Sequence, residues 1–225
     1  MTLAETAYDA LRQDIVRGIL APGKPLRMAQ LSERYGMGFS PLREALNRLQ
    51  AERLVTSIAL RGFSVAPLSM AEMWDTINTR ILIEQRALRL AIELGGDDWE
   101  AGIVSALHGL TLQSARAAAG NADEQKLLED RHHGFHLALI AGCGSGWLLE
   151  FFQRLYVEAE RYRYPMLQYR NAEHHRDIQA EHAALSQATL ARDADVACEL
   201  LAEHYLRTAR FIEAQMAAPP QVQTA

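Results

Sequence analysis

Cysteine is scarce in this chain of 225 residues: Cys143 and Cys198 are the two it has. So few give no disulfide framework and fit a reduced, cytosolic protein. No long apolar run is present, so neither a signal peptide nor a membrane span is expected. Low-complexity tracts and internal repeats are missing as well. The nucleophile elbow, the phosphate-binding loop and the dinucleotide fingerprint are also absent, and with them the plainest signatures of several enzyme classes. A positive overall charge is lacking too. The net charge is −5 and the isoelectric point about 5.9, which argues against nucleic-acid binding by the chain taken whole.

Charge is nevertheless divided unevenly. Residues 1–68 carry nine Lys/Arg against six Asp/Glu, and the remainder 14 against 22. That bias restores nucleic-acid binding as a reading for the first part. Within it, residues 36–49, GMGFSPLREALNRL, read as a tight glycine turn opening into a short helix. Leu42, Ala45, Leu46 and Leu49 form an apolar stripe at helical spacing. Ser40 stands where an N-cap belongs, and Pro41 at the first helical position. Arg43 and Arg48 fall off the stripe. Free N–H groups at a helix start and outward arginines suit docking on DNA, and they equally describe a solvated amphipathic helix.

The neighbouring segments decide between these. Residues 8–20 make an amphipathic helix, with Leu11, Ile15, Ile19 and Leu20 inward and Arg12 and Arg17 outward. Ala21-Pro22-Gly23 breaks it. Residues 28–35 make a second short helix, and the Gly36 turn leads into the third. Leu54-Val55-Thr56, a turn around Arg61-Gly62, and Phe63-Ser64-Val65 make a small β wing. The order is that of a winged helix-turn-helix.

Several runs carry a specific resemblance: residues 15–23 (IVRGILAPG), Leu31-Ser32, residues 40–46 (SPLREAL) with Leu49, and residues 61–65 (RGFSV). They resemble the GntR-type bacterial transcription regulators. The resemblance implies a recognition helix in the major groove. Arg27, Ser40, Pro41, Arg43 and Arg48 would contact phosphates or base edges there, and Arg61 and Gly62 of the wing would touch backbone or minor groove. Where the family usually has Val-Ser-Arg-Thr-Pro, this chain has Met37-Gly38-Phe39-Ser40-Pro41. That difference bears on the operator sequence, because an apolar Phe39 suits a thymine methyl or a sugar.

The second part, 69–217, reads as six helices, and 218–225 as a frayed tail. Ser69 and Glu72 form a capping box opening a helix that runs to Gly95-Gly96, with Met73, Ile77, Ile81, Leu88 and Ile92 inward. Further helices cover about 98–119, 122–141, 147–164 (ended by Pro165), 172–190 and 195–214. Short turns between them favour an antiparallel bundle, so the fold class is mainly α: a winged domain followed by a helical bundle. His132 and His136 are four apart, hence on one face. With His182 and His204 from two later helices, they form a candidate transition-metal site. Any single histidine is more simply a satisfied polar residue. His108, His133, His174 and His175 read as surface or hydrogen-bonded residues.

The segments Arg80-Ile81-Leu82-Ile83-Glu84, Phe135-His136, Glu181-His182 and His204 resemble the FCD effector domain of the FadR branch of those regulators. The resemblance implies a divalent metal held by an Asp and three His at the floor of a ligand cavity. Here His132 stands in the place of the Asp. Four neutral imidazoles leave the full ionic charge in place, favour zinc or nickel over magnesium or calcium, and attract an anion. Residues 143–149 (CGSGWLL) with 160–163 (ERYR) look closest to the carbon-starvation-induced regulator subgroup. Arg80, Ser145 and Arg163 are the candidate effector contacts, Arg80 for a carboxylate.

The rival reading is a metal-dependent hydrolase using the histidines. His132-x-x-x-His136 has zinc-protease spacing, but His133 occupies the position where that motif needs Glu. The expected protein is a cytosolic, homodimeric, ligand-responsive regulator that binds duplex operator DNA and a small carboxylate. It is a repressor released by its ligand, with no catalytic residue and no membrane partner.

Overall fold

A computed structural model describes residues 2–58, 62–117, 122–166 and 176–217. The chain separates into two compact units, one of Met1–Asp75, Val157–Arg170 and Ile212–Ala225, the other of Thr76–Tyr156 and Asn171–Phe211.

In the first unit, α1 (Leu3–Val16) starts earlier than its apolar spacing predicts. Thr2 accepts from the N–H of Glu5 at 3.2 Å, and the Thr2 N–H donates to the Glu5 carboxylate at 2.6 Å. This reciprocal cap fixes the start. The helix also stops before the expected 20, because Gly18 takes φ +74°. Ile19 therefore lies beyond the helical stripe, and it is 51% exposed rather than inward.

Two short helices follow, α2 (Met28–Tyr35) and α3 (Phe39–Ala51). Between them Gly36 closes α2 at φ +63°, a left-handed cap that a side chain would strain. Helix α3 begins one residue before the expected cap. Gly38 is its N-cap and Ser40 and Pro41 lie inside its first turn, so Ser40 does not cap it. Leu42, Ala45, Leu46 and Leu49 are all fully buried against Leu11, Ile15, Leu31 and Leu54. Burying three leucines contributes about 1.5–3 kcal/mol each, against at most about 1 kcal/mol for an exposed ion pair. The stripe therefore decides which face of α3 turns outward.

The wing is a three-stranded antiparallel sheet in the order β1-β3-β2. β2 (Val55–Ile58) and β3 (Gly62–Val65) pair Val55 with Val65 and Thr56 with Ser64. β1 (Pro25–Leu26), a pair of residues too short to be read from the sequence, adds to β3 through Leu26 and Phe63. Later segments are tied into the same unit: Arg161 Nη2 donates to the Ala66 carbonyl at 2.7 Å, and Trp74 Nε1 to Glu213 at 2.9 Å.

The remaining helices are α4 (Met70–Leu94), α5 (Asp97–Ala117), α6 (Ala122–Ile140), α7 (Gly146–Met166), α8 (Ile178–Leu190) and α9 (Ala194–Ala217). The Ser69 hydroxyl accepts from the Glu72 N–H at 3.4 Å at the head of α4. Met73, Ile77, Leu88 and Ile92 are buried as the spacing predicts, but Ile81 is only half-buried. Arg80 and Glu84 hold the interior positions of that turn instead, at 5% and 1% exposure. Pro165 does not end α7, whose last turn reaches Met166. Helix α8 opens at Asp177, whose carboxylate accepts from Ala180 N–H at 2.9 Å; the expected start at 172 and the tail 218–225 lie outside the described residues.

Candidate functional site

The outward face of α3 presents Phe39, Ser40, Arg43, Glu44 and Asn47, all exposed. Phe39 is 51% exposed, an unusual position for a phenyl ring on a helix start. Pro41 is half-buried beside them, and Arg27 is exposed at the N-cap of α2. Gly62 opens β3 at φ +84°, and Arg61 lies outside the described residues. Arg48 is exposed as well, as expected, and it has a neighbour within the chain. Its guanidinium sits 4.1 Å over the Tyr8 ring on α1. The Tyr8 hydroxyl donates to the Glu52 carboxylate at 2.8 Å, and burial with that neighbour pushes its pKa up to about 12. Arg48 thus braces α3 against α1. Sequence pattern does not single out Asn47, although an amide one helical turn beyond Arg43 can pair with adenine.

The second unit brings the predicted histidines together. His132 and His136 on α6, His182 on α8 and His204 on α9 each offer a ring nitrogen within 4.8 Å of the others. Nitrogens sharing one transition-metal ion at about 2.1 Å stand about 3.0–4.2 Å apart, so the set needs only a small closure to hold one. His136, His182 and His204 are buried, while His132 is half-buried and forms the open edge. Nε2 of His132 and Nε2 of His136 approach to 3.2 Å. Imidazole donors in this number suit zinc, nickel or a similar ion rather than magnesium or calcium.

Around the histidines lies a polar layer. Tyr156 on α7 bonds His132 Nδ1 through its hydroxyl at 2.8 Å. The Tyr205 hydroxyl lies 2.9 Å from His136 Nδ1 and donates to Glu84 at 2.5 Å. Arg80 donates to Glu84 through Nε at 2.8 Å and to the Tyr205 oxygen through Nη2 at 3.0 Å. Its guanidinium lies over the rings of Tyr205 and Tyr156, at 4.3 and 5.2 Å. Burial alone would lower the Arg80 pKa, but Glu84 together with Tyr205 and Tyr156 outweighs it and the net direction is upward. Burial drives the Tyr205 hydroxyl well above its ordinary value.

Glu181 accepts from Arg176 at 2.6 and 2.8 Å and lies 2.8 Å from His204 Nδ1. Burial would raise its carboxyl, yet Arg176 and His204 together hold it far below the carboxylate range.

Ser145 and Arg163 are the two other expected effector contacts. The Ser145 hydroxyl accepts from Leu148 N–H at 3.3 Å at the start of α7, a local capping role. Arg163 is half-buried in the Val157–Arg170 segment of the first unit, whereas the histidines belong to the second. Of the remaining histidines, His108 is exposed and His133 bonds Gln153 at 2.7 Å through Nε2; His174 and His175 lie outside the described residues. Among the described residues no helix is long and apolar enough to cross a membrane.

Residues 3–65 match the family described as bacterial regulatory proteins, gntR family, and residues 75–207 match the FCD domain. The chain is 41% identical to the HTH-type transcriptional repressor GlaR of Escherichia coli K12, over 93% of this chain and 96% of that protein. It is 39% identical to the HTH-type transcriptional regulator BphR of Paraburkholderia xenovorans LB400, over 90% of this chain and 82% of that protein. Among solved structures, the fold is shared with E. coli McbR/YncC at a TM-score of 0.77 and 23% identity, covering 96% of this chain and 99% of that one.

Proposed function

The chain belongs to the GntR family of bacterial regulatory proteins and carries an FCD domain, and from that premise we propose that it is a repressor released from its operator by a small carboxylate. It is a DNA-binding transcription regulator, not an enzyme. The partition we propose is 1–68 for reading DNA and 69–217 for sensing and dimerisation. GlaR is named a repressor, which favours repression here. A cytoplasmic homodimer on a palindromic operator follows, since one winged domain reads few base pairs.

For the sensing site, His132, His136, His182 and His204 would hold one divalent ion, zinc or nickel. The observation that carries this is the convergence of four ring nitrogens from three helices within 4.8 Å of one another, three of the four rings buried. When bound, the ion supplies an uncompensated positive charge that takes a carboxylate oxygen. The half-buried His132 marks the side from which a ligand enters. Arg80 is the cation we assign to a further carboxylate of the effector, held flat against two tyrosine rings by Glu84. A ligand that binds one pose of the paired reading heads better than another shifts operator affinity by that difference.

The test is a thermal-melt panel of mono- and dicarboxylic acids on zinc-loaded protein. A carboxylate at about 100 times its Kd should stabilise the protein by about 2.7 kcal/mol, a shift of several degrees. No shift with any acid would remove the carboxylate reading.

A further inference from the structure

We infer that Tyr156, Tyr205 and Glu181 are positioning residues that hold His132, His136 and His204 in the tautomer whose Nε2 faces the centre of the cluster. This rests on the reading of the cluster as a metal centre. A neutral imidazole carries one N–H, and only its other nitrogen can bind a metal. The outer hydrogen bond of each ring therefore decides whether it is a ligand.

In all three rings the outer bond falls on Nδ1. The partners are the Tyr156 hydroxyl at 2.8 Å, the Tyr205 hydroxyl at 2.9 Å and the Glu181 carboxylate at 2.8 Å. Three side chains from α7, α9 and α8 thus converge on the same atom type.

At two of the rings the direction of the bond is determined. A tyrosine has one hydroxyl proton, and Tyr205 gives its proton to Glu84. Its oxygen can therefore only accept from His136, which places the imidazole proton on Nδ1. Glu84 keeps Tyr205 in that role because Arg80 Nε occupies the carboxylate's other oxygen at 2.8 Å. Glu181 likewise accepts from His204 Nδ1 at 2.8 Å; Arg176 Nη2 lies 3.3 Å from the same nitrogen, but its two protons go to Glu181 at 2.6 Å and the His204 carbonyl at 2.9 Å. At His132 the Tyr156 hydroxyl is able to accept from Nδ1 in the same way, which is the direction required once Nε2 binds a metal.

His136 and His132 bring their Nε2 atoms to 3.2 Å, and each of the four rings offers one nitrogen within 4.8 Å of the others.

The experiment uses the full chain with zinc. Nitrogen-15 NMR of the zinc-loaded protein is expected to place the ring proton on Nδ1 of His132, His136 and His204. An Nε2 proton on any of them overturns the role of its partner. In parallel, zinc affinity is measured by competition with a chromophoric chelator. Tyr156→Phe, Tyr205→Phe and Glu181→Gln should each weaken it about 10–100-fold. His108→Ala, at an exposed histidine, should leave it unchanged. Folded variants with wild-type zinc affinity would overturn the positioning roles while leaving the metal site standing. A wild-type protein that binds no zinc or nickel would instead overturn the metal reading beneath them. The NMR result needs no variant, so a substitution that fails to fold leaves the proposal testable.

Discussion

His136→Ala should abolish zinc binding and the effector response together, while the effector-free protein keeps its affinity for operator DNA. His136 is 1% exposed and takes part in a 3.2 Å nitrogen pair with His132. Losing a ligand costs more than losing an outer partner, so metal affinity should fall by more than about 100-fold. Wild-type protein in zinc at about 1,000 times its Kd gains about 4 kcal/mol of stability, a gain the variant loses. Operator affinity is spared because the exposed residues of α3 lie in the other compact unit. Metal analysis, melting and a gel shift on the same preparation check all three. An effector response that survives in a metal-free variant would reduce the four histidines to polar lining.

Arg43→Ala should weaken operator binding by about 5–150-fold if Arg43 reads a base edge, corresponding to about 1–3 kcal/mol. If it meets a phosphate instead, the loss is similar on every sequence and the salt slope falls by about one. Arg43 is exposed on the face of α3 opposite four fully buried residues. Arg48→Ala should behave differently. Its guanidinium is engaged by Tyr8, so its loss costs about 0.5–1 kcal/mol of stability and leaves the salt slope nearly unchanged. A gel-shift salt titration on DNA selected from random sequence by the protein itself separates the two. An Arg43 variant that binds like wild type would place the reading surface elsewhere.

Both predictions begin from features that are legible in the sequence. Helical spacing alone picks out Leu42, Ala45, Leu46 and Leu49, because burying an apolar stripe outweighs every other influence on how a short helix is oriented. The same period puts His132 and His136 on one face, and separate helical runs place His182 and His204 on others. That the four meet depends on packing, and periodicity says nothing about packing between distant segments.

What is not legible is long-range or two-sided. Tyr205 lies 69 residues from His136 and 121 from Glu84, and nothing local marks a tyrosine as the orienter of a histidine. Arg80 and Glu84 break the apolar pattern of α4, so hydrophobic spacing assigns their turn to Ile81. Arg48 is exposed, as its place off the stripe predicts, but its contact with Tyr8, far earlier in the chain, is not marked by anything local. By contrast, the start of α1 is available to a reader of the sequence: Thr2 and Glu5 have capping-box spacing just ahead of Leu11. Ser40-Pro41 misleads because both residues are as well suited to a first helical turn as to its edge.

The measurement closest to the central claim is operator release followed by fluorescence anisotropy, with zinc-loaded and chelator-stripped protein run side by side against a carboxylate that raises the melting temperature. The loaded protein should leave the operator as the carboxylate is added, and the stripped protein should stay bound at the same concentrations. Equal release from both, or no release from either, would contradict a regulator that senses an organic acid through its four-histidine metal centre.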